Sequence, residues 1–178
     1  MPDLPSDEHS AGETGEALSW ARLSDCGLYR YALGRRWRGD GEVLAFVMLN
    51  PSTADASVDD PTIRRCIGFA KRDGYAGILV HNLYGYRATD PRELDLASDP
   101  VGPQNDAYLR LTLSERVRRG LPTVAAWGAK APLSRVNAVM ALVPGVDWRH
   151  LGRTKDGSPR HPLYVKGDAP LTSLVADR

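Results

Sequence analysis

Two short segments far apart in the chain hold the side chains best suited to chemistry. Asn50 stands where an apolar run, Val43-Leu44-Ala45-Phe46-Val47-Met48-Leu49, stops at Pro51-Ser52. His161 stands in the basic loop Arg160-His161-Pro162-Leu163-Tyr164. A side-chain amide orients water by accepting and donating hydrogen bonds, although it is a poor general base. Runs apolar on both faces become central strands of parallel sheets, and ligands gather beyond the carboxyl ends of such strands. An amide at one strand end and an imidazole in a later loop could therefore meet in one cleft.

Other groups cluster near these two. Asp55, Asp59 and Asp60 follow the Asn-Pro-Ser turn. Oxygen ligands of that kind can hold a metal, but an exposed loop ending in a helix N-cap is the preferred reading, so no metal site is expected. Arg153, Lys155, Arg160 and Lys166 flank His161, a spacing suited to phosphate contacts that position a nucleic acid without reading it. His81 lies inside an apolar strand and reads as a core histidine. No His/Cys spacing matches zinc, and no glycine-rich stretch matches a dinucleotide or phosphate loop.

The elements that must carry these groups follow from patterning. Residues 28–37 alternate loosely between apolar and polar, and Arg38-Gly39-Asp40-Gly41 supplies turn chemistry, so a hairpin onto strand 43–49 is expected. Asp60-Pro61 opens a helix whose buried face is Ile63, Cys66, Ile67 and Ala70, and Asp73-Gly74 closes it. Strand 77–82 follows. A helix over 105–119 carries Leu109, Leu113 and Val117 inward, with arginines in its last turns. Strand 123–127, helix 134–142 and strand 146–151 complete the alternation. This order predicts an α/β three-layer sandwich around a mostly parallel four-stranded sheet, with an N-terminal antiparallel edge strand.

The chain has 178 residues and 42% hydrophobic content, enough for one core-forming domain over residues 19–178. Residues 1–18 are polar and acidic and read as a flexible tail, without the basic start and apolar centre of a secretory signal. A formal charge of +1 gives no global polyanion signature. No apolar run approaches the roughly 20 residues of a membrane span. Two cysteines, Cys26 and Cys66, cannot build a disulfide framework, so a cytoplasmic protein is expected.

Four segments, in this order, resemble the uracil-DNA glycosylase superfamily. They are the strand ending in Asn50-Pro51-Ser52, the segment Ile78-Leu79-Val80-His81-Asn82-Leu83-Tyr84, the turn Trp127-Gly128-Ala129-Lys130, and the loop Arg160-His161-Pro162-Leu163-Tyr164. The chain also resembles a bacterial family known as domain of unknown function 1643. The carrying motifs there are Leu49-Asn50-Pro51-Ser52-Thr53-Ala54, Asp59-Asp60-Pro61-Thr62, Ala88-Thr89-Asp90-Pro91 and His161-Pro162-Leu163-Tyr164.

The glycosylase resemblance implies a glycosylase-like fold and a set of roles. Asn50 would position water, Asn82 would read the base with Ser52 and Tyr84 beside it, and His161 would donate a hydrogen bond to the departing base. Arg153, Lys155 and Arg160 would hold phosphate, and Leu163 or Tyr164 would fill the space left by a flipped base. The four cysteines of the iron–sulfur branches are absent, and no cofactor is expected. The expected activity is binding of a nucleobase in a nucleic acid, DNA being the favoured partner, with hydrolysis of an N-glycosidic bond. The alternatives are a non-catalytic nucleic-acid or nucleotide-binding module and a metal-assisted hydrolase or transferase acting on a small nucleotide.

Overall fold

The computed structural model describes residues 18–52 and 54–174. The expected tail lies outside the described residues except for Leu18, which opens the first strand. The chain forms an α/β fold with a mixed sheet of seven strands: β1 (Leu18–Leu23), β2 (Arg30–Arg36), β3 (Val43–Met48), β4 (Gly77–Asn82), β5 (Thr123–Ala125), β6 (Trp148–His150) and β7 (Thr172–Ser173). Their spatial order is β1-β2-β4-β3-β5-β6-β7. The four inner strands β4-β3-β5-β6 run parallel, whereas β1, β2 and β7 join antiparallel.

Two expectations change here. The hairpin between 28–37 and 43–49 does not form, because β4 lies between β2 and β3. Phe46 and Val47 point to opposite faces and both are buried, so β3 is central; it takes parallel neighbours on each side, β4 at Phe46↔Val80 and β5 at Phe46↔Val124. The antiparallel partner of β2 is β4, with Leu33 opposite Val80. The sheet is also wider than four strands and one edge, since β1 and β7 extend it. β1 is seated by Trp20, whose ring packs onto Gly34 of β2 so closely that a Cβ there would meet it at 2.2 Å.

Helices α1 (Pro61–Arg72), α2 (Asn105–Arg118) and α3 (Leu133–Met140) cover the sheet. On one face, Leu44, Phe46 and Met48 pack with Ile63, Cys66, Phe69 and Ala70 of α1. On the other, Val47 and Ala125 pack with Leu109 and Leu113 of α2 and Val136 and Val139 of α3. The inward side of α2 departs from expectation at its last turn. Val117 is exposed and Arg116 is buried, because the Arg116 guanidinium donates to the carbonyls of Val43 (2.8 Å) and Pro122 (2.5 Å). His81 is a core histidine as expected, its Nδ1 2.8 Å from Tyr31 O and its Nε2 2.9 Å from Thr112 Oγ1. No helix of the described residues is long and apolar enough to cross a membrane.

Candidate functional site

Chain order fixes where a crevice opens. From β3 the chain leaves through α1 on one face of the sheet, and from the adjacent β5 it leaves toward α3 on the other. Loops that diverge at neighbouring parallel strands leave a gap beyond their carboxyl ends. A cleft of ≈ 690 Å³ lies there, lined by the end of β3, the start of α1, the turn after β5 and the loop that carries His161.

Asn50 lines it from the end of β3. Its Nδ2 donates to Pro51 O (3.0 Å) and Ala88 O (2.7 Å), which fixes the amide and leaves Oδ1 without a donor among the described residues. Ser52, also half-buried, lines the cleft two residues on. Asp60 caps α1 by accepting from Ile63 N at 2.8 Å, and among the described residues its carboxylate is the one acidic group in the cleft wall.

His161 enters from the far side. Gly128, at φ +77° in the left-handed region, turns the chain after β5 and donates its N–H to Pro159 O at 2.9 Å, tying that turn to the histidine loop. Arg65 of α1 donates to Val165 O, and Arg72 donates to Gly167 O (2.8 Å) and Ala169 O (2.6 Å), holding the chain beyond it. His161 caps the single turn Pro162–Tyr164, its Nδ1 accepting from Leu163 N at 3.4 Å. A neutral ring that accepts at Nδ1 carries its proton on Nε2. Burial pulls the His161 pKa below the ordinary 6.5, against the attraction of Asp60, so the neutral donor form prevails at neutral pH. Tyr164 stands 5.9 Å from the imidazole, ring centre to ring centre, and with Leu163 it lines the cleft mouth while largely exposed.

Of the remaining expected residues, only Arg160 reaches the cleft. Arg160 lines the cleft, donating from Nε to Arg153 O at 2.8 Å. Arg153 turns away, its guanidinium donating to Gly157 O (2.9 Å) and to Leu174 O, and Lys155 is exposed outside the cleft. Tyr84 packs in the core on the α2 and α3 side, beneath Arg135. Asn82 does not line the cleft either. It is fully buried at the end of β4, paired in register with Met48, which does line it, and neither Oδ1 nor Nδ2 has a partner.

The acidic loop is dispersed. Asp55 accepts from Ser57 N and Val58 N, Asp59 pairs with Arg35 at 2.8 Å, and Asp60 caps α1. Among the described residues, no group of three His, Cys, Asp or Glu side chains is placed to share a metal.

Cleft groups to which the sequence reading gave no role include Arg30, Lys130 and Thr154. Lys130 had a signal, since it follows Trp127-Gly128-Ala129 at a strand exit. Arg30 had none, because an arginine at a strand start reads as solvent-exposed. The structure buries it at 2% exposure, with Nη1 donating to Ala54 O at 2.5 Å.

A family model described as "Protein of unknown function (DUF1643)" matches residues 30–163. The chain belongs to this family. The DUF1643 match begins at Arg30 and ends at Leu163, so it takes in every residue lining the cleft except Tyr164. No curated protein and no solved structure matches the chain.

Proposed function

We propose that the cleft binds a nucleobase or nucleotide and that the protein hydrolyses its N-glycosidic bond. The observation that carries this reading is the meeting of Asn50 and His161 in one cleft at the sheet's switch point. The Oδ1 of Asn50 accepts a hydrogen from water and holds it against the sugar carbon. The Nε2–H of His161 faces the negative charge that develops on the departing base. A donor so placed contributes roughly 3–4 kcal/mol to lowering such a barrier. A strongly dissociative transition state tolerates an amide in place of a true base.

The resemblance of four motifs to uracil-DNA glycosylases supports both the reaction and a glycosylase-like arrangement of the layers. Asn82 gives narrower support. It points to the α1 side of the sheet with Val80, and its buried amide leaves both Oδ1 and Nδ2 unpartnered among the described residues. We assign a cytoplasmic setting, supported by two free thiols, the exposed Cys26 and the buried Cys66.

A non-catalytic binding module has one observation in its favour: both Asn50 amide hydrogens and His161 Nδ1 serve the local backbone. Base release and binding, measured on the same nucleosides, nucleotides and oligonucleotides, separate the two readings. The expected result is release by wild type that falls about 100-fold in His161→Ala while affinity changes only a few-fold. Binding without release across the panel would assign the cleft to the module.

A further inference from the structure

Arg30 is a buried cation without a paired anion among the described residues. It opens β2, is 2% exposed, and lines the cleft. Nη1 is held by Ala54 O, while Nε has no partner among the described residues. Asp60 and Asp55 attract it only at longer range. Of the other buried arginines, Arg35 pairs with Asp59 and Arg135 with Asp106, while Arg116, like Arg30, is held by backbone carbonyls; of these two carbonyl-held arginines, Arg30 is the one that lines the cleft. An uncompensated buried charge costs several kcal/mol unless something anionic joins it. Burial lowers the Arg30 pKa to about 10, so the charge persists at neutral pH.

The charge of the cleft wall points the same way. Arg30, Lys130 and Arg160 face a single carboxylate, Asp60. A guanidinium offers paired donors that match phosphate oxygens. Among the described residues the cations run no further: Arg153 and Lys155 lie outside the cleft lining, and the formal charge of the chain is +1. A nucleic-acid strand needs a row of phosphate contacts, whereas this cleft holds cations for one phosphate. Its ≈ 690 Å³ lies within the range of small-molecule sites, roughly 300–1,000 Å³.

We propose that Arg30 is the phosphate receptor of this cleft and that the ligand is a single nucleoside monophosphate, held whole, with Arg160 and Lys130 closing over its phosphate. The identity of the ligand rests on the nucleobase reading above. Hydrolysis would then add the hydroxyl of water to the anomeric carbon. The C–N bond breaks with its electrons passing to the base, which gains the proton, and a phosphorylated sugar is released.

Calorimetric titrations with a nucleoside, its 5′-monophosphate, inorganic phosphate and a short oligonucleotide test this. The monophosphate is expected to bind at least about tenfold tighter than the nucleoside. That advantage should vanish in Arg30→Met and shrink in the exposed-site variant Lys130→Ala, whose thermal melt should match wild type. Arg30→Lys, which keeps a point charge, should restore part of it. Equal affinity for nucleoside and monophosphate would overturn the phosphate receptor and leave the nucleobase reading intact. Tighter binding of the oligonucleotide would overturn the single-nucleotide ligand. Binding of inorganic phosphate with no gain from an attached nucleoside would uphold Arg30 as an anion receptor and overturn the nucleobase reading itself.

Discussion

Asn50 commits both amide hydrogens to the carbonyls of Pro51 and Ala88, so its remaining lone pairs have a fixed direction. The same bonds give the residue a structural share in the loop. Asn50→Ala should lower stability by about 1–2 kcal/mol, read in a thermal melt, because two carbonyls lose their donor. For His161, burial depresses the pKa below 6.5, so the neutral ring with Nε2–H predominates above 6.5. Base release should therefore show a midpoint for this group below pH 6.5 in a pH–rate profile. A titration centred at 6.5 or above would show that the ring is not buried as described. Asn50 and His161 were legible in the sequence because each ends a recognisable motif. Arg30 was not, because its burial depends on the loop at Ala54 folding over the start of β2, a long-range contact that periodicity does not register.

Elements differ in how plainly the sequence declares them. α1 was readable from end to end, since Asp60 caps it, Pro61 starts it, and its apolar residues recur at helical spacing. The strand at Gly77–Asn82 was equally plain. The pairing of β2 was misread because local turn chemistry at 38–41 suggests a hairpin, whereas the burial of both faces of β3 demands two parallel neighbours. β1 and β7 were missed, one half-exposed and the other only two residues long. The seating of β1 on Gly34 gives a test at this scale. Gly34→Ala would drive a methyl into the Trp20 ring, and a cost of about 1–3 kcal/mol is expected, with a changed tryptophan fluorescence as β1 shifts. Native fluorescence and an unchanged melting temperature would contradict that packing.

For the whole molecule, the sheet's order decides both the core and the cleft. Helices leaving β3 and β5 on opposite faces create two apolar clusters and, between their loops, the site. The inner strand β4 also carries His81, whose burial lowers its pKa to about 4. In the unfolded chain a histidine titrates near 6.5, so below that pH the unfolded state takes up the proton first. The stability held by neutral His81 is complete above 6.5 and is lost as pH falls toward 4. The melting temperature should accordingly decline steadily between pH 6.5 and pH 4.5, and a flat profile over that window would contradict a neutral buried ring.

The central claim is that Asn50 and His161 face one ligand in one cleft. The most direct test is a nitrogen-15 NMR titration of the full chain with a nucleoside monophosphate, following the Asn50 side-chain amide, the His161 ring nitrogens and the Gly128 backbone amide. The account predicts that all three respond together, with the His161 Nε2 signal moving most. Saturable shifts confined to residues outside the cleft, with these three unmoved, would contradict it.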